Sequence, residues 1–290
     1  MSDRRHISFV GIKRSGNHAA QNWILHQIPE PISVINNYQT DAHKRISEST
    51  DFDAPSLYTG PRENESAMYT YENLSLQGTG YGTPMHISDF KKLPPYNYLA
   101  NILLLRDPFN NLASLYQHAL YRTKIEPPHV KNFALLWRSY AHEFINNTRF
   151  LTPLDSTLKP GKVCISYNEW FKSEPYRRTI SQQLGLSFND NGLQFVNAFG
   201  NGSSFGGQQL QGSAQAMNVL NRWSTLEDFR KPEPPRPPGR GRYPPQVLWA
   251  DALKILVKDK DLMKCVQIIF PEIFAEVTKQ QRLWELKDGK

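Results

Sequence analysis

Residues 6–27 set the tightest limit on what this chain can fold into. His6–Val10 is rich in β-branched and aromatic residues that alternate with polar ones, the pattern of a strand. Gly11-Ile12-Lys13-Arg14-Ser15-Gly16-Asn17 follows as a turn, and His18–Gln27 reads as a helix that Pro29 ends. Strand, glycine loop and helix in that order can bind phosphate. Small residues let backbone N–H groups approach phosphate oxygens, and the helix N-terminus adds about half a positive charge. An ordinary βα turn has the same order of elements, so the loop's own chemistry has to separate the two.

Downstream the same alternation recurs. Asn101–Leu105 is an apolar buried strand, and Asp107-Pro108 then starts a helix with Asp as cap and Pro in the first turn. Phe133–Phe150 has the spacing of an amphipathic helix. Lys162–Ser166 reads as a strand, Glu174–Leu184 as a helix stopped by Gly185, Ala216–Trp223 as a further helix, and residues 247–290 as C-terminal helices. Strands alternating with helices imply an α/β fold, three-layered, with a mostly parallel central sheet flanked by helices. The expectation is one domain over residues 1–290. Within it, 36–82 is read as a loop-rich insertion, 189–214 as a mobile loop and 230–246 as an extended proline-rich segment.

The loop differs from the nucleoside-triphosphatase pattern G-x-x-x-x-G-K-[ST]. Gly11 and Gly16 have the right spacing, but Asn17 and His18 stand where the lysine and the magnesium-binding hydroxyl belong. Cations lie inside the loop instead, at Lys13 and Arg14. The net charge of +7 favours an anionic partner without choosing among phosphates, nucleic acid and anionic lipid. The two cysteines, Cys164 and Cys265, are too few for a disulfide scaffold or a structural zinc site, and Cys164 reads as a buried small hydrophobe. No apolar run approaches the roughly 20 residues of a membrane span, and Ile7–Val10 is too short for a signal-peptide core, so a cytoplasmic location is expected.

Arg106 follows the strand Asn101–Leu105, at the end where open α/β sheets bind ligands, and can grip a phosphate with two parallel bonds or pair with Asp107. Ser114 and Tyr116 follow on the next helix. Lys13-Arg14-Ser15-Gly16 after one strand, and Arg106-Asp107-Pro108 with Ser114-Leu115-Tyr116 after another, resemble the sulfotransferases that use 3′-phosphoadenosine 5′-phosphosulfate. Tyr167-Asn168-Glu169-Trp170 is similar to the family's segment near the adenine. Ser203-Ser204-Phe205-Gly206 and Arg222-Trp223 are similar to motifs of its bacterial members. The resemblance covers roughly residues 6–28 and 84–229.

The resemblance implies roles. Arg14 would neutralise charge on the bridging oxygen as sulfate leaves, with Lys13 a second cation beside it. Ser15, Gly16 and Asn17 would donate to the 5′-phosphate, and His18 would donate too or cap the helix. Arg106 and Ser114 would hold the 3′-phosphate, with Ser203, Ser204 and Arg222 as further candidates. Arg222 also reads as a surface ion-pairing residue, and Trp223 as core. Tyr167 would lie near the adenine. Ala19 stands where many members stack a tryptophan, and Trp23 comes too late to replace it.

For the base that takes the acceptor's proton, the resemblance points to His86 in Pro84-Met85-His86-Ile87, a residue type whose pKa lies near working pH. Asp89, Glu65 or another acid of the insertion is the alternative. The acceptor implied is a polar small molecule or saccharide, with no metal and no nucleic acid. A P-loop phosphotransferase such as a kinase, or a non-catalytic nucleotide- or nucleic-acid-binding protein, are the competing readings. The missing lysine and hydroxyl disfavour the first. The absence of an RNA-type aromatic motif or a helix-turn-helix disfavours the second.

Overall fold

The computed structural model describes residues 5–29, 32–35, 66–72, 98–120, 127–146, 161–195, 213–225 and 249–288. They fall into two compact units. One takes in residues 1–106 and 139–216, the other 107–138 and 217–290.

The first unit is built on a sheet whose described strands are β1 (Arg5–Gly11), β2 (Ile32–Ile35), β3 (Ser66–Glu72), β4 (Tyr98–Leu105) and β5 (Gly161–Ser166). The order is β2-β3-β1-β4-β5, and every paired register is parallel. The expected α/β class therefore holds. Ile102 to Leu105 are wholly buried, as an interior parallel strand requires. Helix α1 (Asn17–Leu25) follows β1. After β4 come α2 (Pro108–Leu120) and α3 (Pro127–Asn146), and after β5 come α4 (Tyr167–Lys172) and α5 (Glu174–Gln183). The chain from β1 turns to one side of the sheet, toward β2, and the chain from β4 turns to the other, toward β5. The switch point thus lies between the carboxyl ends of β1 and β4, where Gly11 is in register with Leu104.

The reading of 36–82 as an irregular insertion is corrected at its centre. Ser66–Glu72 is a strand inserted between β1 and β2. A strand covered on both faces need not alternate, and the buried Ser66, Ala67, Met68 and Thr70 gave no period to detect. Ile32–Ile35 is a further strand that the sequence pattern does not announce. Other differences are local. The 133–150 helix begins earlier, at a Pro-Pro first turn, and is described to Asn146. Residues 189–214 carry short 3-10 turns at both described ends, Asn191–Gln194 and Ala214–Ala216. Cys164 is half-buried rather than buried, while Cys265 is buried, and both are free thiols. The segment 230–246 lies outside the described residues.

A polar network fixes α1 within this unit. Trp23 is fully buried and its Nε1 donates to Asp190 Oδ1 at 2.9 Å. Arg177 grips the same carboxylate, with Nη2–Oδ2 at 2.8 Å, and Ser181 Oγ donates to Gln27 Oε1 at 2.6 Å. Gly185, at φ 64°, ends the 174–184 helix as expected.

The second unit includes α2, the first part of α3, α6 (Arg222–Thr225), α7 (Trp249–Lys258), α8 (Lys260–Ile269) and α9 (Pro271–Asp288). Asp107 caps α2, as expected, by accepting the Asn110 N–H at 2.8 Å. The expected helix over 216–223 is not continuous. The Asn110 side chain intervenes: its Nδ2 donates to the Leu220 carbonyl at 2.7 Å, and its Oδ1 accepts the N–H groups of Arg222 at 2.7 Å and Trp223 at 3.4 Å. That carbonyl oxygen serves as an N-cap from another helix, so α6 starts only at Arg222. Trp223 is core, as expected, and its carbonyl accepts from Trp249 Nε1 at 2.9 Å.

Candidate functional site

The glycine loop bridges β1 and α1 in a strained backbone. Arg14 has φ 67° and Gly16 φ 94°, and Arg14 is the one non-glycine residue with positive φ among those described. The loop closes because glycine stands at both ends. A β-carbon on Gly11 would collide with the Asn17 side-chain amide, and one on Gly16 with the Tyr167 ring, whose Cδ2 and Cζ would lie 2.7 Å away. Gly16 is the N-cap of α1 and no side chain caps it. The first-turn N–H groups of α1 therefore receive no N-cap side-chain bond.

Not every loop residue presents its side chain as the resemblance implies. Ser15 is fully buried, its hydroxyl donates to the Ile12 carbonyl, and its N–H bonds the same oxygen at 3.1 Å. Asn17 Nδ2 donates to the Ile12 carbonyl and to Glu72 Oε1, both at 3.2 Å. These side chains hold the loop together. Lys13 is exposed, and Arg14 and His18 are half-buried.

Two of the expected residues, Arg106 and Tyr167, converge on this loop. Arg106, 2 % exposed at the end of β4, donates from Nη1 to the Arg14 carbonyl at 3.3 Å. Its guanidinium carbon stands 5.1 Å from the centre of the Tyr167 ring, a cation–π distance. Tyr167, which the resemblance placed near an adenine, packs its ring against Gly16. Ser166 begins α4 as its N-cap, accepting the Glu169 N–H at 3.4 Å. Tyr176 pins the turn before it: its hydroxyl accepts the Ser166 N–H at 3.0 Å and donates to the Cys164 carbonyl at 3.4 Å. Burial pushes the Tyr176 hydroxyl above its ordinary pKa, so it keeps its proton.

In the second unit, Ser114 and Arg222 meet. Arg222 Nη1 donates to Ser114 Oγ at 3.0 Å, and both side chains are buried. Asn110 and Ser114 lie one turn apart on α2, so one helix face fixes both the backbone and the guanidinium of Arg222. Arg222 is therefore not a surface ion-pairing residue. His86, Ser203 and Ser204 lie outside the described residues, as do Glu65 and Asp89.

Sequence reasoning allowed an acid of the 36–82 segment without singling out Glu72. It ends β3, in register with Gly11, and its carboxylate touches Asn17. The available signal was an acid closing a buried strand beside the loop, hidden because the strand itself was not recognised. Among the described residues no cluster of three or more His, Cys, Asp or Glu could hold a metal, and no helix is long and apolar enough to cross a membrane.

No protein-family model and no curated protein matches the sequence. Among solved structures the chain is similar to a mouse sulfotransferase complexed with PAP, with 16% identity, 64% of this chain and 60% of that chain covered, and a TM-score of 0.36. It is also similar to the sulfotransferase domain from the curacin biosynthetic pathway, with 12% identity, 80% and 93% covered, and a TM-score of 0.41. A sulfotransferase from Alicyclobacillus acidocaldarius matches with 16% identity, 67% and 87% covered, and a TM-score of 0.38. The chain spans less than two thirds of the mouse enzyme's length. Likeness of this depth carries no activity over to this protein.

Proposed function

We propose that the protein is a sulfotransferase that moves a sulfuryl group from 3′-phosphoadenosine 5′-phosphosulfate to a hydroxyl or amine of a polar small molecule or saccharide. The observation that carries this reading is Arg106 bonded to the Arg14 carbonyl at the β1/β4 switch point. Two arginines meet on one glycine loop, in the crevice where an open α/β sheet binds ligands. That loop lacks the lysine and hydroxyl of a magnesium–nucleotide site.

The residues fit a donor with a 5′-phosphosulfate. Gly11 and Gly16 let the Asn17 side chain and the Tyr167 ring pack directly on the loop, and α1 starts without a side-chain cap. The donor supplies an activated sulfate–phosphate anhydride. Arg14 stabilises the charge that develops on the bridging oxygen, and the backbone N–H groups of residues 15–18 orient the 5′-phosphate. Lys13 raises the local positive potential. Arg106 is assigned to the 3′-phosphate, with Ser203 and Ser204 as further donors.

His86 is assigned the acceptor's proton. Glu72 gives a second reading, because its carboxylate already touches Asn17. Replacing each by Gln separates the two: the base is the residue whose loss abolishes turnover while donor binding persists.

Calorimetric titration with 3′,5′-bisphosphoadenosine in EDTA, with ATP as control, tests the donor site. Binding at about 1–10 μM without metal supports the reading. Binding of ATP only, and only with magnesium, overturns it in favour of a P-loop phosphotransferase.

A further inference from the structure

We propose that Arg106, stacked on Tyr167, is a positioning residue that holds the phosphate loop in its left-handed backbone, so that it governs capture of a 5′-phosphate as well as of a 3′-phosphate. The nucleotide part of this inference rests on the sulfotransferase reading, and the loop-holding part stands without it.

The loop needs an outside support. A non-glycine residue stays in left-handed backbone only where its surroundings over-determine it. Arg14 does so at φ 67°. Its carbonyl points to Arg106 Nη1, and a charged donor makes that bond stronger than a neutral one. Arg106 stands on a firm base, since the four residues before it, Ile102 to Leu105, are wholly buried in the sheet. The second left-handed position, Gly16 at φ 94°, is covered by the Tyr167 ring, and that ring also lies under the Arg106 guanidinium. One stacked pair, from the ends of two neighbouring strands, therefore contacts both left-handed residues. If Arg106 served the 3′-phosphate alone, a ligand without that phosphate would not sense its loss. If it holds the loop, every ligand of the loop will.

The experiment has two arms, using the full chain. Amide hydrogen exchange is first followed without ligand in wild type, Arg106→Gln, Tyr167→Leu and Tyr167→Phe. The Ser15 N–H, bonded to the Ile12 carbonyl at 3.1 Å, reports the loop. The expected result is exchange faster by about tenfold or more in Arg106→Gln and Tyr167→Leu. Tyr167→Phe, which keeps the ring, stays at the wild-type rate, and the amides of Ile102–Leu104 are unchanged in all four. An unchanged Ser15 N–H in both disruptive variants overturns the proposal, as does equal acceleration of loop and β4 amides. Should Arg106→Gln fail to fold, Tyr167→Leu and Tyr167→Phe decide the matter.

The second arm titrates adenosine 5′-monophosphate and 3′,5′-bisphosphoadenosine. Arg106→Gln should weaken both, the monophosphate by about tenfold, the scale of one lost charge-assisted bond. Loss confined to the bisphosphate makes Arg106 a 3′-phosphate ligand only and overturns the proposal. If wild type binds neither nucleotide, the sulfotransferase reading fails, and the exchange arm still decides whether Arg106 holds the loop.

Discussion

Gly16→Ala should destabilise the protein far more than a single methyl group usually does, because two independent costs meet at that position. Left-handed backbone costs a residue with a β-carbon about 1–2 kcal/mol. At φ 94° Gly16 incurs that cost on any substitution. The new methyl would also press into a ring that is 4 % exposed and held between Gly16 and Arg106. Overpacking of this kind costs about 1–3 kcal/mol, so the total is about 2–5 kcal/mol. That is a large part of the about 5–15 kcal/mol available to a folded domain.

Gly185 supplies a control within the same unit. It has φ 64° but nothing within 4 Å of a built β-carbon, so Gly185→Ala measures the backbone cost alone, about 1–2 kcal/mol. The assay is urea unfolding of both variants, of Tyr167→Ala, and of the double variant Gly16→Ala/Tyr167→Ala. Removing the ring removes the collision, so the double variant should be more stable than the sum of its parts by about 1–3 kcal/mol. Gly16→Ala no worse than Gly185→Ala, or a double variant additive to within about 0.5 kcal/mol, would refute the packing of Tyr167 on the loop.

Three further outcomes are expected. Arg14→Ala should lower the rate of sulfuryl transfer by about 100–1,000-fold with little change in 3′,5′-bisphosphoadenosine affinity, measured by initial rates and calorimetry; equal losses in both would make Arg14 a general binding residue. Asp190→Ala strands the buried Arg177 guanidinium and the Trp23 N–H, and should cost about 2–3 kcal/mol in urea unfolding, once discounted for the partly exposed carboxylate. Burial raises the Cys265 thiol above its ordinary value, so the stability it contributes is full below the unfolded-state pKa of about 8.5 and is lost as pH rises through the folded value. Unfolding free energies at pH 7 and above pH 9 in wild type and Cys265→Ala measure that loss, and a wild-type decline no steeper than the variant's would count against it.

The sequence carried the parts of this molecule whose physics is local. The loop between β1 and α1, the cap at Asp107, the stop at Gly185 and the strand leading to Arg106 each follow from a few neighbouring residues. What was not legible depended on partners distant in sequence. β3 lacks a period because it lies inside a parallel sheet, and Glu72, at its end, was lost with it. The break before Arg222 could not be read from residues 216–223 themselves, since the group that caps α6 is Asn110, more than a hundred positions earlier. Tyr167 is the most instructive case. Its segment was recognised, but its place against Gly16 and Arg106 follows only from β4 and β5 being neighbours in the sheet. That adjacency also changes what the loop motif can mean. A glycine loop with internal cations is complete as a pattern over residues 11–18, yet its strained backbone is supported from residues 106 and 167. The motif and its support follow three different strands, β1, β4 and β5, so a substitution at either remote position should alter phosphate binding while leaving every residue of the motif in place.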